Sequence, residues 1–290
     1  MNLFAILSFF FFTGLVAFVS WYKTRQENLT TSEGYFLGGR SLGFFMVGGS
    51  LFLTNMSANN FIGENESVYL TNMAVMAWGM SSIIAMLIVS EFFMPIYLRS
   101  GMITTPDFLE ERFDPSVKYW VSVLFVLGYA INLMPPVLYA GALAFNGMFG
   151  ISDLLGLDSW TTLWILIFAI GTVGSIYAIF GGLKAIAVSD AMTGVGMVVG
   201  GLMVPYFALK YLGDGNLFEG WNIITSSKTE HLNAIGGPTD PVPFSTLFTG
   251  MLLVNLHYWG TEQYIMQRAL AAKNLAEGQK GIILAGFGKV

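Results

Sequence analysis

The sequence has no cysteine, only two histidines and few charges. Without cysteine, the chain can form neither a disulfide nor a thiolate metal site. His231 and His257 lie far apart along the chain, so we expect no histidine metal cluster. Charged residues make up 11% of the 290 residues and the net charge is −5. A soluble domain carries about 25% charged residues, and no basic cluster here indicates a nucleic-acid partner.

Apolar residues dominate what is present. They make up 54% of the chain and mean hydropathy is +0.64. This composition indicates a membrane protein. The paired His/Glu motif of a zinc protease is missing, so we expect that the protein is not an enzyme. A helix needs about 20 mostly apolar residues to cross a bilayer. The sequence predicts spans near Leu3–Trp21, Ser41–Gly63, Leu70–Leu98, Tyr119–Gly150, Ser159–Leu183, Ile186–Leu209 and Pro243–Met266, with an eighth beginning near Leu275.

The positive charges alternate between the two sides of the predicted membrane. Loops on one side carry only Lys210 and Lys228. Because positive charge marks the cytoplasmic side, the richer side is the cytoplasm and the amino terminus is outside. We therefore expect a multi-pass protein of the plasma membrane. The richer side carries Lys23, Arg25, Arg40, Arg99, Arg112, Lys118, Lys184, Arg268, Lys273 and Lys280.

Two predicted spans are interrupted by polar residues. Span two contains the run Thr54-Asn55-Met56-Ser57-Ala58-Asn59-Asn60, and the centre of span seven contains Asn255-Leu256-His257-Tyr258-Trp259-Gly260-Thr261-Glu262. Lipid cannot hydrogen-bond an opened backbone, so such breaks occur where they face protein or a water-lined cavity. Spans two and seven stand five apart, which is typical of inverted repeats with a site between two broken helices. The alternative is that both are ordinary helices whose polar residues pack against neighbours.

Several stretches resemble the sodium/solute symporter family, within it the bacterial sodium/sugar cotransporter branch of the sodium/galactose type. The likeness runs from end to end in the same order and spacing. The stretches are Gly34-Tyr35-Phe36-Leu37-Gly38-Gly39-Arg40-Ser41-Leu42, Asn55-Met56-Ser57-Ala58, Thr105-Pro106-Asp107-Phe108-Leu109-Glu110-Glu111-Arg112-Phe113, Tyr177-Ala178-Ile179-Phe180-Gly181-Gly182-Leu183-Lys184-Ala185 and Gln263-Tyr264-Ile265-Met266-Gln267-Arg268-Ala269-Leu270-Ala271-Ala272-Lys273.

The resemblance implies an all-α polytopic membrane protein with inverted five-helix repeats and discontinuous helices. On this map residues 1–290 form a single, incomplete transporter domain. Residues 3–21 form an extra helix, 41–209 the first repeat and 243–290 the start of the second. Val290 would fall inside the eighth span, so we expect the second repeat to be truncated and the chain to be the amino-terminal part of a longer protein.

The resemblance also implies sodium as the co-transported ion. The family binds sodium through main-chain carbonyls at the first break, which here match Leu53 and Met56; the partner hydroxyls would follow Val290. Asp190 matches a carboxylate on the sodium exit path. A bare carboxylate near a membrane interface can equally be held by a structural partner, here Lys184.

The family binds sugar with amides, a carboxylate, a hydroxyl and a lysine, because a neutral polyol needs many directional donors and acceptors. The matching solute-binding residues are Asn60, Ser82, Asn255 and Lys289. Tyr258 matches an aromatic gate, which Trp259 follows. Lys289 lies about 14 residues into its span, where an unpaired ammonium is costly, so a structural ion pair is the other interpretation.

Two positions depart from the family pattern. The glutamine of the family's first core helix is replaced by Asn60 here, and the glutamate of the next helix is replaced by Gly79. Either Glu64 or Glu66 would supply the missing acceptor, or both are solvated residues at the outer mouth. The favoured hypothesis is a sodium-coupled symporter importing a sugar or related polyol, with no obligate protein partner evident. The alternatives are sodium-dependent transport of another small solute, such as an acidic sugar, and a non-transporting sensor on the same scaffold.

Overall fold

The computed structural model describes residues 3–58, 60–227 and 229–289. Asn59, Lys228 and Val290, which the sequence analysis used, lie outside these ranges. The α-helices are α1 (Leu3–Thr24), α2 (Ser32–Leu37), α3 (Phe44–Asn55), α4 (Asn65–Leu70), α5 (Ala77–Ile88), α6 (Met94–Ser100), α7 (Thr105–Arg112), α8 (Pro115–Gly128), α9 (Met134–Phe149), α10 (Ile151–Leu155), α11 (Ser159–Leu212), α12 (Leu217–Ser227), α13 (Gly250–Thr261), α14 (Gln263–Leu270) and α15 (Leu275–Gly288).

Short tighter and wider helical turns connect several of these helices. The 3₁₀ turns are Gly38–Arg40, Met73–Met76, Thr229–Leu232 and Phe244–Phe248, and the π turns are Asn60–Glu64, Val89–Phe93 and Tyr129–Leu133. The π turn at Tyr129–Leu133 lies just before Pro135 and Pro136. Because proline lacks the N–H of a regular helical turn, the helix is distorted at this point.

Four helical stretches are long and apolar enough to cross a membrane: Ile6–Thr24, Met73–Ser100, Pro115–Phe149 and Ser159–Leu212. Phe44–Asn55 is a shorter apolar helix. Large apolar side chains stand exposed on the long stretches, among them Phe11, Ile131 and Phe180. Exposed apolar surface on this scale suits contact with lipid rather than water. The all-α membrane fold predicted from the sequence is confirmed.

Polar side chains fix where several helices begin. The Asp114 carboxylate accepts from the N–H groups of Ser116 and Val117 at 2.7 and 3.1 Å. The Asp158 carboxylate accepts from the Thr161 N–H at 2.9 Å, and the Asn274 side chain caps α15 in the same way. A side-chain oxygen at this position satisfies a free N–H of the first turn. These caps set the loop ends of spans four, five and eight.

Gly182 separates the fifth and sixth predicted spans. α11 has 54 residues, which would extend about 80 Å if straight, far more than one bilayer requires. At Gly182 the backbone has φ 61° and ψ −178°, a conformation that is essentially restricted to glycine. A Cβ there would lie 3.0 Å from the Leu29 side chain and 3.2 Å from the Tyr35 carbonyl oxygen. The spans therefore meet at a sharp break instead of a loop.

Loops predicted for one side of the membrane do converge at one end of the bundle. The Arg40 guanidinium donates to the carbonyls of Gly101, Met102 and Leu270 at 3.2 to 3.4 Å. A parallel bridge joins Leu42 to Ala272. Together these contacts connect the loops that follow spans one, three and seven, which lie on the same side because an even number of crossings separates them.

Glycines allow α3 to pack closely against two neighbouring helices. A Cβ at Gly48 would lie 2.9 Å from the Gly281 carbonyl of α15, and one at Gly49 would lie 2.9 Å from the Ala191 Cα of α11. Small residues are the usual means by which membrane helices approach closely. The first half of span two is thereby held between the predicted sixth and eighth spans.

Replacing Gly182 with alanine should lower stability by about 1–3 kcal/mol, because alanine is strained in this conformation. The measurement is thermal unfolding of the detergent-solubilised protein. Gly174→Ala in the same helix is the matched control, since a Cβ there meets nothing within 4 Å and alanine favours a helix interior by about 0.5–1 kcal/mol. Equal melting temperatures for the two variants would contradict this account of the break.

Candidate functional site

The first break lies where span two was predicted to be interrupted. α3 ends at Asn55, and Met56 is extended, with φ −94° and ψ 127°. The Ser57 N–H and hydroxyl both donate to the Asn60 side-chain oxygen at 3.0 Å. The chain then resumes in the π turn Asn60–Glu64. Because a side chain satisfies the opened backbone, the break is stable inside the bundle.

The second break lies at Glu262, the last residue of the polar run predicted for span seven. α13 continues through the rest of that run to Thr261, and Glu262 has φ −64° and ψ 123°. The helix persists up to there because its polar side chains find partners without opening it. The buried Asn255 amide donates to the Ser81 hydroxyl at 2.9 Å and to the Met251 carbonyl at 3.1 Å. The break therefore falls at the end of the predicted polar run and not in its middle.

Tyrosine hydroxyls of neighbouring spans form hydrogen bonds with the backbone and carboxylate groups at the second break. The Tyr97 hydroxyl donates to the Gly260 carbonyl at 3.0 Å. The Tyr129 hydroxyl donates to the Glu262 carboxylate at 2.6 Å and accepts from the Gln263 N–H at 3.3 Å. Spans three and four thus hold the end of α13 in place.

A cavity of about 530 Å³ lies between the two broken helices and the start of α5. Its lining combines amides, one carboxylate, one ammonium and aromatic rings. The polar lining residues are Asn55, Asn60, Glu64, Asn255, Tyr258 and Lys289, and the remainder are Met56, Val75, Met76, Trp78, Gly79, Met80, Val254 and Trp259. Such a lining offers donors, acceptors and stacking surfaces to a small polar solute.

Three of the four predicted solute-binding residues line this cavity: Asn60, Asn255 and Lys289. Ser82 does not. It is fully buried, and its hydroxyl donates to the Gly79 carbonyl at 2.6 Å. The adjacent Ser81 contacts Asn255 instead. Successive residues of a helix point about 100° apart, so one position decides which serine contacts Asn255.

The two predicted gate residues occupy different environments. Tyr258 lines the cavity, and its hydroxyl accepts from the Asn55 amide at 3.0 Å. Trp259 is 2% exposed, and the Lys289 ammonium lies 5.1 Å from its ring centroid. An ammonium over an indole face is a cation–π contact. Trp259 therefore supports Lys289, whereas Tyr258 joins the two broken helices.

Asp190 lies outside the cavity in a buried cluster. Its carboxylate accepts from the Ser50 hydroxyl at 2.7 Å and lies 3.6 Å from the Arg268 guanidinium. The Arg268 Nε also donates to Ser50 at 2.9 Å. Lys184 pairs with Glu27 instead, so the alternative of a Lys184–Asp190 pair was wrong. The cluster connects α3, α11 and α14 one turn before Leu53.

Sequence reasoning gave no role to Asn55, Ser81, Arg268 or Ser50. Asn55 stood within the polar run of span two and within a family motif, which was the available signal. Arg268 was counted as a loop charge and stood within a family motif, yet its side chain is 12% exposed. Contacts between distant spans carry no periodic signal in the sequence, so Ser50 and Ser81 could not have been singled out.

Comparison with known proteins decides the family. The profile of the sodium:solute symporter family matches residues 35–287. The chain belongs to this family. It is 43% identical over 290 residues to an uncharacterized symporter of Escherichia coli strain K12, YidK, and covers 51% of it. It is 34% identical to the sodium/glucose cotransporter of Vibrio parahaemolyticus, over 98% of this chain and 52% of that protein.

More distant relatives are also named as sodium-coupled transporters. The human sodium/myo-inositol cotransporter is 29% identical over 99% of this chain and 41% of that protein. A substrate-bound, outward-open sodium-coupled sialic acid symporter superposes with a TM-score of 0.80 at 20% identity, over 96% of this chain and 55% of that one, which establishes the fold. The chain spans about half the length of the curated relatives it matches. Family and named relatives are transporters, in agreement with the expectation that the protein is not an enzyme.

Replacing Asp190 with asparagine should destabilise the protein by about 3 kcal/mol, because it leaves the buried Arg268 charge unpaired. Thermal unfolding in detergent measures the effect. The double variant Asp190→Asn/Arg268→Gln should recover most of the loss, since neither charge then remains. A single variant as stable as the wild type would show that the pair contributes nothing.

Proposed function

We propose that the protein couples inward sodium flow to the uptake of a sugar or related polyol by alternating access. The observation that carries the proposal is the cavity enclosed by two broken helices and lined by Asn60, Asn255 and Lys289. Residues 41–209 would form the first inverted repeat, 243–290 the start of the second, and 3–21 an additional helix. A solute site between two discontinuous helices is the usual arrangement of such transporters.

Sodium would bind at the carbonyl end of α3. The helix ends at the first break, so its dipole presents partial negative charge there and favours a cation. Met56 lies at this end and also on the cavity wall, and the Leu53 carbonyl lies one turn earlier. Hydrophobic side chains at these positions are compatible with a site built from main-chain oxygens. Asp190, one turn nearer the loop end, would line the exit path.

The solute would be a neutral polyol, since the cavity offers amide, carboxylate and ammonium groups to hydroxyls. Relatives named as sodium/glucose and sodium/myo-inositol cotransporters support this class of solute. The Asn55–Tyr258 hydrogen bond would close the path toward the end where the Arg40 contacts lie. Solute release would require this bond to break, and sodium must favour one of the two conformations.

An inward sodium gradient should raise the initial uptake of a neutral sugar or inositol by the full-length natural protein at least about fivefold over a choline gradient, a typical coupling between two ligands. The measurement is uptake of labelled glucose, galactose, myo-inositol and sialic acid into proteoliposomes. Uptake that is equal in both gradients would contradict sodium coupling. Sodium-driven uptake of sialic acid alone would retain coupling and replace the polyol by an acidic sugar.

We further propose that the protein lies in the plasma membrane with its amino terminus outside, on the basis of the lysine and arginine distribution. The chain has no cysteine, so single cysteines can be labelled without background from it. Glu219→Cys, in exposed α12, should react with an impermeant maleimide in intact cells. Lys273→Cys, also exposed, should react only after permeabilisation. The reverse pattern would place the amino terminus in the cytoplasm.

A further inference from the structure

We infer that Glu64 is the carboxylate that accepts hydrogen bonds from solute hydroxyls, and that it makes the site selective for neutral polyhydroxylated solutes over acidic ones. The inference rests on the proposed transport function and deepens it. The wall at Gly79 offers no side chain, and a Cβ there would meet only the Lys289 carbonyl, at 3.5 Å. A carboxylate acceptor must therefore come from another part of the cavity.

The first break positions Glu64 for this role. The Asn60 amide donates to the Glu64 Oε1 at 2.9 Å, while the Asn60 oxygen is held by the Ser57 N–H and hydroxyl. Among the described residues, none donates to the other Glu64 oxygen. Asn60 is thus a positioning residue that directs one carboxylate oxygen and leaves the second available to a ligand.

Glu66 does not share this environment. It lies in α4 two residues further on and is absent from the described cavity lining, whereas Glu64, although exposed as well, lies on that lining. Residues two apart on a helix point to different faces. Of the two candidate carboxylates, Glu64 is therefore the one placed to contact a solute, and Glu66 becomes the matched control.

The charges of the cavity indicate the class of solute. Its charged lining residues, among those described, are Glu64 and Lys289, and the two attract each other. Their charges cancel, so an acidic solute gains no net attraction and brings its own carboxylate toward Glu64. Both Asn255 N–H groups are taken by protein acceptors, so this amide offers only its oxygen. A neutral polyol, rich in O–H donors, suits these acceptors.

Direct binding tests the inference. Equilibrium binding of labelled glucose, myo-inositol and sialic acid is measured in sodium on the purified full-length protein and on E64Q and E66Q. We expect the wild type to bind a neutral solute more tightly than sialic acid. E64Q should weaken neutral binding about tenfold or more, since hydrogen bonds to a charged group are the strong ones. E66Q should stay within about twofold of the wild type, because only larger changes reflect a lost contact of this kind.

The ratio of neutral to acidic affinity is the decisive quantity, because it does not depend on the fraction of protein that is folded. E64Q should shift this ratio toward sialic acid. An unchanged ratio, an equal effect of E66Q, preferential sialic acid binding by the wild type, or no binding of any solute tested would each overturn the inference. Sodium dependence of uptake is measured separately, so a protein that binds polyols without sodium-driven uptake would refute the transport function and leave the role of Glu64 standing.

Discussion

The structure depends on the rule that a peptide group opened inside a membrane must find its hydrogen-bond partner within the protein. At the first break the partner is local, since Asn60 accepts from Ser57 three residues before it. At the second break it comes from another span, where Tyr97 donates to the Gly260 carbonyl. One break can therefore form within its own segment, whereas the other requires the assembled bundle.

Buried charges also need partners within the protein, and the Asp190–Arg268 pair and Lys289 differ in the partners they have. The Asp190–Arg268 pair is bonded within the protein, because Ser50 contacts both groups and the Tyr264 carbonyl takes a further guanidinium hydrogen. The Lys289 ammonium lies over the Trp259 ring, and among the described residues no hydrogen-bond acceptor contacts it. A pair bonded within the protein stabilises helix packing, whereas a charged group without such partners in a cavity is able to bind a solute.

Properties carried by single segments could be predicted from the sequence, and contacts between segments could not. Hydropathy located the four stretches that are long, apolar helices, and the polar run located the break in span two. The position of the break at the end of the polar run in span seven could not be predicted, because Asn255 is satisfied by Ser81 on another helix, which leaves α13 intact. Lys184 was offered as one possible partner of Asp190, whereas the observed partner, Arg268, is near only in space. The choice between Ser81 and Ser82 depends on the rotation of one helix, which composition does not fix.

The proposed sodium and solute sites share one short segment of backbone, and this gives coupling a physical basis. Sodium held by the Leu53 and Met56 carbonyls would fix the chain at the break. Asn60 follows within four residues and is bonded to Ser57, and its amide directs Glu64. An ion that orders Met56 would therefore reduce the conformational entropy that the solute must overcome at Glu64. Because coupling between binding sites is reciprocal, a solute held at Glu64 would strengthen sodium binding by the same factor, so ion and solute would favour the same conformation.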